Sequence, residues 1–103
     1  MITGSVSATE TEAATVLVVR GDLDLHGAPA LRPRLRWAVS GAERPVVVVD
    51  LTEVSVLDDV GAGVLLGLRR LAAGDGRAMS VRAGDRVSDV LRELGIADLL
   101  TVR

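Results

Sequence analysis

Two periods run through the hydrophobic and polar positions of this chain. Residues 2–8 alternate as an edge strand does, and Glu10, Thr11 and Glu12 make a polar turn. Residues 14–20, Ala-Thr-Val-Leu-Val-Val-Arg, are rich in β-branched side chains and close on Gly21, which predicts a strand. The period then changes. Leu31, Leu35, Ala38 and Val39 share one helical face, the pair Ala28-Pro29 opens that helix, and Gly41 stops it. Val46, Val47, Val48 and Val49 follow without polar alternation, the pattern of a central strand covered on both faces. After a loop over 52–57, a second helix is predicted from about Val60 to Ala73, burying Val64, Leu65, Leu68 and Leu71 and ending at Gly74-Asp75-Gly76. Residues 78–83 form another strand, and Val87, Val90, Leu91 and Leu94 line a third helix stopped by Gly95. Residues 99–102 add a short last strand. The order predicts one α/β domain over 1–103, a mixed sheet with three to four helices packed on it.

Composition narrows what such a domain does. The 103 residues suffice for one core, which is aliphatic: Trp37 is the lone aromatic. All 12 basic residues are arginine. Without lysine the chain has no Walker-type phosphate loop and no Schiff-base amine. Without cysteine it has no disulfide, zinc-thiolate or thiol chemistry, and the single His26 builds no multi-histidine metal site. No enzymatic activity and no cofactor are expected. A net charge of −2 excludes the usual basic footprint of a nucleic-acid binder. No apolar run reaches the length of a membrane span and no signal pattern opens the chain, so the expected compartment is the cytoplasm. The Arg-for-Lys, Ala/Val/Gly-rich bias is that of a GC-rich bacterial coding sequence.

The informative stretch runs from Asp50 to Leu66. A buried strand ends at Asp50-Leu51, and a helix opens at Asp58-Asp59-Val60-Gly61. A helix N-terminus presents free N–H groups and about half a positive charge, so it favours carboxylates and phosphates. Gly61 and Gly63 occupy the first turns, where glycine costs about 1 kcal/mol against alanine in an interior position. What glycine offers there is a bare surface that another backbone can approach closely. The start of this helix is therefore the expected contact or modification site.

These residues resemble the STAS domain, and within it the small bacterial anti-sigma factor antagonists. Asp50-Leu51, Leu57-Asp58, Gly61-Ala62-Gly63 and Val64-Leu65-Leu66 match the family's strand, loop and apolar helix in register. Gly21-Asp22-Leu23-Asp24 and Ala28-Pro29-Ala30-Leu31 are similar to its Gly-Glu-Leu-Asp…Ala-Pro segment, and Met79-Ser80-Val81 with Val87-Ser88-Asp89-Val90-Leu91…Gly95 follow its last strand and helix. The resemblance implies partner switching. An antagonist binds an anti-sigma factor, a serine kinase of the histidine-kinase-like ATPase fold, and so frees the sigma factor for transcription. Phosphorylation of the serine after the motif aspartate adds about −1.5 to −2 charges and separates the pair.

This chain departs from the pattern at the switch. The phosphoacceptor serine maps onto Asp59 and the next hydroxyl onto Val60. A permanent carboxylate, a partial phosphomimetic, stands where relatives carry a phosphate, so the switch is fixed or rewired. The resemblance implies partner-binding roles for Asp24, His26, Ser55, Asp58, Asp59, Val60, Gly61, Ala62 and Gly63, and leaves homo-oligomerisation possible.

Plainer roles stand beside these. Asp58 and Asp59 are both suited to capping the helix. As a catalytic carboxylate pair they point apart and lack a nucleophile or ligand set nearby. Asp24 and His26 precede the first helix, where capping and exposure compete with partner contact. Ser55 is expected to make a local loop hydrogen bond, with an alternative phosphosite as its sharper role. Trp37 is expected to pack partly buried, and Arg32, Arg34, Arg36, Arg69 and Arg70 to face solvent. A different function suits the missing hydroxyl as well: a STAS accessory subunit of a lipid-importing ABC transporter, which braces an ATPase without a phosphorylation cycle.

Overall fold

In the computed structural model, which describes residues 4–100, four strands and three α-helices follow the predicted order. The strands are β1 (Gly4–Glu10), β2 (Ala14–Gly21), β3 (Val46–Glu53) and β4 (Ala78–Arg82), arranged β1-β2-β3-β4 across one sheet. β1 pairs antiparallel to β2, while β2–β3 and β3–β4 are parallel, so the sheet is mixed. The helices are α1 (Ala28–Ser40), α2 (Asp59–Gly74) and α3 (Asp85–Glu93), followed by a short 3-10 turn over Ala97–Leu99.

Pleating sends alternate residues of each strand to opposite faces. Leu17 and Val19 of β2, Val47, Val49 and Leu51 of β3, and Val81 of β4 share one face. They join Leu31 and Leu35 of α1, Leu65 and Leu68 of α2, and Val87 and Leu91 of α3 in one aliphatic cluster. The valine run does lie in an interior strand, but the expected cover on both faces is not found. The buried leucines and valines of the helices join the Val47/Val49 side. On the other side Val48 is buried, while Val16, Val18 and Val46 remain half-buried.

Three further expectations are corrected. Glu10 belongs to β1, and the turn begins at Thr11; the predicted start at Ile2 lies outside the described residues. Of the predicted last strand, Leu99 lies in the 3-10 turn instead and Leu100 makes a single parallel bridge to Val81, while residues 101 and 102 lie outside the described residues. Trp37 is 82% exposed. It follows Arg36 on the outer side of α1, and the aliphatic core is filled by Leu35 and Val39 instead. Gly95 does stop α3: its φ of 77° is a conformation that glycine adopts without strain.

Both parallel crossovers leave the sheet at the same end, placing the β2–α1 loop beside the β3–α2 loop. A bridge between Leu23 and Leu57 joins them, with the Leu23 N–H donating to the Val56 carbonyl at 2.9 Å.

Candidate functional site

The α2 N-terminus is built around the carboxylate of Asp58. One oxygen, Oδ1, accepts the Gly61 N–H at 3.0 Å and so caps the helix. The other, Oδ2, accepts the N–H of Leu25 from the β2–α1 loop at 2.9 Å. The Gly61 N–H is the main influence lowering the Asp58 pKa; partial burial opposes it, and the Leu25 N–H adds to the lowering.

Gly61 completes the junction. A Cβ at this position would lie 1.9 Å from the Leu23 carbonyl oxygen and 2.8 Å from a Leu57 methyl group. Only a residue without a side chain admits the neighbouring loop so closely. Gly27 plays the same part on the other loop, where a Cβ would lie 1.9 Å from the Asp22 carbonyl oxygen. Asp24 organises that loop: its Oδ1 accepts the N–H groups of His26 at 3.0 Å and Gly27 at 2.8 Å, and its carbonyl accepts the Ala28 N–H at 2.8 Å.

The residues singled out from the sequence thus separate into two sets. Gly61 and Ala62 are buried, and Asp24 and Asp58 are half-buried and committed to backbone N–H groups. His26, Ser55, Asp59, Val60 and Gly63 are exposed. The local hydrogen bond expected of Ser55 is absent among the described residues, so its hydroxyl faces solvent. Capping falls to Asp58 alone. Asp59, in the first turn of α2, makes no side-chain hydrogen bond or ion pair among the described residues. Its charge nevertheless complements the helix dipole, a favourable effect of about 0.3–1 kcal/mol at such positions.

Two residues not foreseen complete the surface. Leu25 is 61% exposed and Val56 is 42% exposed, and they flank the same junction as Val60, which is 39% exposed. Exposed apolar side chains at a junction that also presents a free carboxylate are suited to protein contact. Their signal in the sequence was present but ambiguous, because both residues read equally well as core-facing loop positions. No group of side chains able to hold a metal ion occurs among the described residues, and no helix in that range is long and apolar enough to cross a membrane.

A sheet of this topology, presenting two tied loops and a capped helix end, defines a domain of the STAS class. A family model described as "Mlab, STAS domain" matches residues 6–101, and the chain belongs to this family. Solved structures of similar fold include an anti-sigma factor antagonist from Mycobacterium paratuberculosis, with a TM-score of 0.80 and 23% identity over 94% of this chain and 82% of that one. The anti-sigma factor antagonist SpoIIAA in its unphosphorylated form has a TM-score of 0.72 and 18% identity, covering 94% of this chain and 86% of its own. Moorella thermoacetica RsbS, in a form with glutamate replacing a serine, has a TM-score of 0.65 and 22% identity over 87% of this chain and 77% of that one.

Proposed function

We propose that this STAS domain acts as an anti-sigma factor antagonist whose binding is not switched by serine phosphorylation at the start of α2. Its partner is an anti-sigma factor of the histidine-kinase-like ATPase fold, bound through the α2 N-terminus and the loop that Asp58 holds against it. The observation that carries this reading is the unpartnered Asp59 carboxylate, exposed at the start of α2 next to a loop junction where Leu25, Val56 and Val60 are exposed as well. An exposed apolar rim is useful only if something covers it, which favours a domain that binds over one held permanently off. A carboxylate has less charge than a phosphate and lacks its tetrahedral oxygens, so a partner surface with a nearby cation accommodates it.

A second reading is favoured by one specific absence. Neither position 59 nor 60 carries a hydroxyl, and the matching family model is described by the Mlab name rather than as an antagonist. A STAS subunit that braces a transport ATPase needs no phosphoacceptor. The two readings share the surface and differ in the partner.

The test uses immobilised anti-sigma kinase with wild-type protein and Asp59→Ser. Both proteins should be captured, and ATP should release only the variant, with phosphate found on the introduced hydroxyl. Failure of the kinase to capture either protein would overturn the antagonist reading. Phosphorylation of the wild type on Ser55, with release, would overturn the unswitched mechanism.

A further inference from the structure

Arginine is the chain's only long cation, and the described residues use most of it locally. Arg20, Arg44, Arg69, Arg82 and Arg92 form ion pairs with Glu53, Glu10, Asp98, Asp50 and Asp89, respectively. Arg34 and Arg77 donate to the backbone carbonyls of Gly4 and Arg44. Four others, Arg32, Arg36, Arg70 and Arg86, have no such partner among the described residues. Three of those four line one groove.

The groove lies between α1 and α2 and encloses about 400 Å³ at its upper part, where Val60 and Gly63 contribute to the wall. Arg32 and Arg36, one turn apart on α1, form one side. Gly63, Gly67 and Arg70 follow at helical spacing along α2. A Cβ at Gly63 or Gly67 would meet nothing within 4 Å, so the α2 side is open to close approach. No aspartate or glutamate lines the groove, although the chain as a whole carries a net charge of −2. Three guanidiniums without counter-charge, facing a trough with a bare backbone wall, form a field that an opposite charge completes.

We propose that the α1–α2 groove is a docking site for an acidic segment of a protein partner, bound by Arg32, Arg36 and Arg70. The proposal rests on reading the domain as a binding module and adds a second contact beside the Asp59 surface, with which the groove is continuous through Val60. From Val60 to Arg70 the groove follows α2 for about 15 Å, enough for several carboxylates of one segment to meet separate arginines. Planar guanidiniums pair carboxylates bidentately, which fixes such a segment in register.

The experiment measures fluorescence anisotropy of a fluorescein-labelled ten-residue Asp/Glu peptide with the purified domain at low and physiological salt. Wild type should bind, and Arg32→Ala/Arg36→Ala/Arg70→Ala should weaken binding at least tenfold. Gly67→Leu, which fills the groove without changing charge, should do the same while circular dichroism shows the fold intact. Arg86→Glu, a charge reversal at the unpartnered arginine outside the groove, should change binding less than twofold. An equal loss with Arg86→Glu, or unchanged binding by the triple variant, would overturn the site. So would binding of inorganic triphosphate or phosphatidylglycerol vesicles with this arginine dependence when the peptide is not bound. Capture of the anti-sigma factor is scored in parallel. Capture with no peptide binding overturns the groove alone, and peptide binding without capture overturns only the choice of partner.

Discussion

The carboxylate of Asp58 accepts the backbone N–H of Leu25 at 2.9 Å, joining two loops that lie 33 positions apart in the chain. The same side chain caps α2 through Gly61, so one aspartate sets both the start of the helix and the position of the loop beside it. The neighbouring Asp59 is left free. Two adjacent acids thereby acquire different work, one internal to the fold and one facing outward.

That division predicts a pH dependence. Asp58 titrates below the ordinary value of 3.8, chiefly because the charged form accepts the Gly61 N–H. A carboxyl whose folded pKa is depressed stabilises the native state above its unfolded pKa and loses that contribution as pH falls through the folded value. The urea midpoint of the wild type should therefore drop on acidification below about pH 4. Asp58→Asn should start from a lower midpoint at neutral pH and show a shallower acid slope. Parallel slopes for the two proteins would refute the assignment.

The two glycines at the start of α2 should respond in opposite directions to one methyl group. Gly61→Ala drives a Cβ into the Leu23 carbonyl and should destabilise the domain by about 1–3 kcal/mol, because the obstacle is backbone. Gly63→Ala meets open space inside a helix and should stabilise it by about 0.5–1 kcal/mol. Chemical denaturation of both variants measures the contrast, and equal effects would disprove it.

Trp37 and Leu35 make a second contrast two positions apart on α1. Removing the exposed indole with Trp37→Ser should change stability by no more than about 0.5 kcal/mol. Leu35→Ala opens a cavity under a fully buried side chain and should cost about 2–5 kcal/mol. Thermal and urea unfolding should agree on this ranking.

The apolar rim is tested separately from the fold. Leu25→Glu and Val56→Glu alter exposed side chains and should leave the unfolding midpoint close to that of the wild type. Each should weaken capture by the anti-sigma factor at least tenfold, because it places a charge in a surface that binding desolvates. Unchanged capture would move the interface away from this junction.

Much of the architecture is carried locally. The valine run of β3, the i, i+4, i+8 spacing of Leu31, Leu35 and Val39, and the glycine at position 95 each specify their element through short-range rules of period and backbone freedom. The position of the helix start at Asp58–Asp59 was legible for the same reason, since a cap and a first turn involve only neighbours. What the sequence by itself determined is the order of strands and helices, an aliphatic core, and a carboxylate at the start of α2 in place of a hydroxyl.

Tertiary structure decided how those parts are used. Whether Asp58 or Asp59 caps α2, and whether Gly61 or Gly63 admits a neighbouring backbone, depends on where the β2–α1 loop arrives. The exposure of Leu25, Val56 and Trp37 depends on which face each presents after α1 and α2 have packed. The arginines at 32, 36 and 70 looked like separate solvated side chains until two helices brought them to one groove. The physical reason is common to all of these: period and propensity act over a few residues, whereas contact, burial and electrostatic field depend on segments whose approach is set by closing the whole sheet and its helical layer.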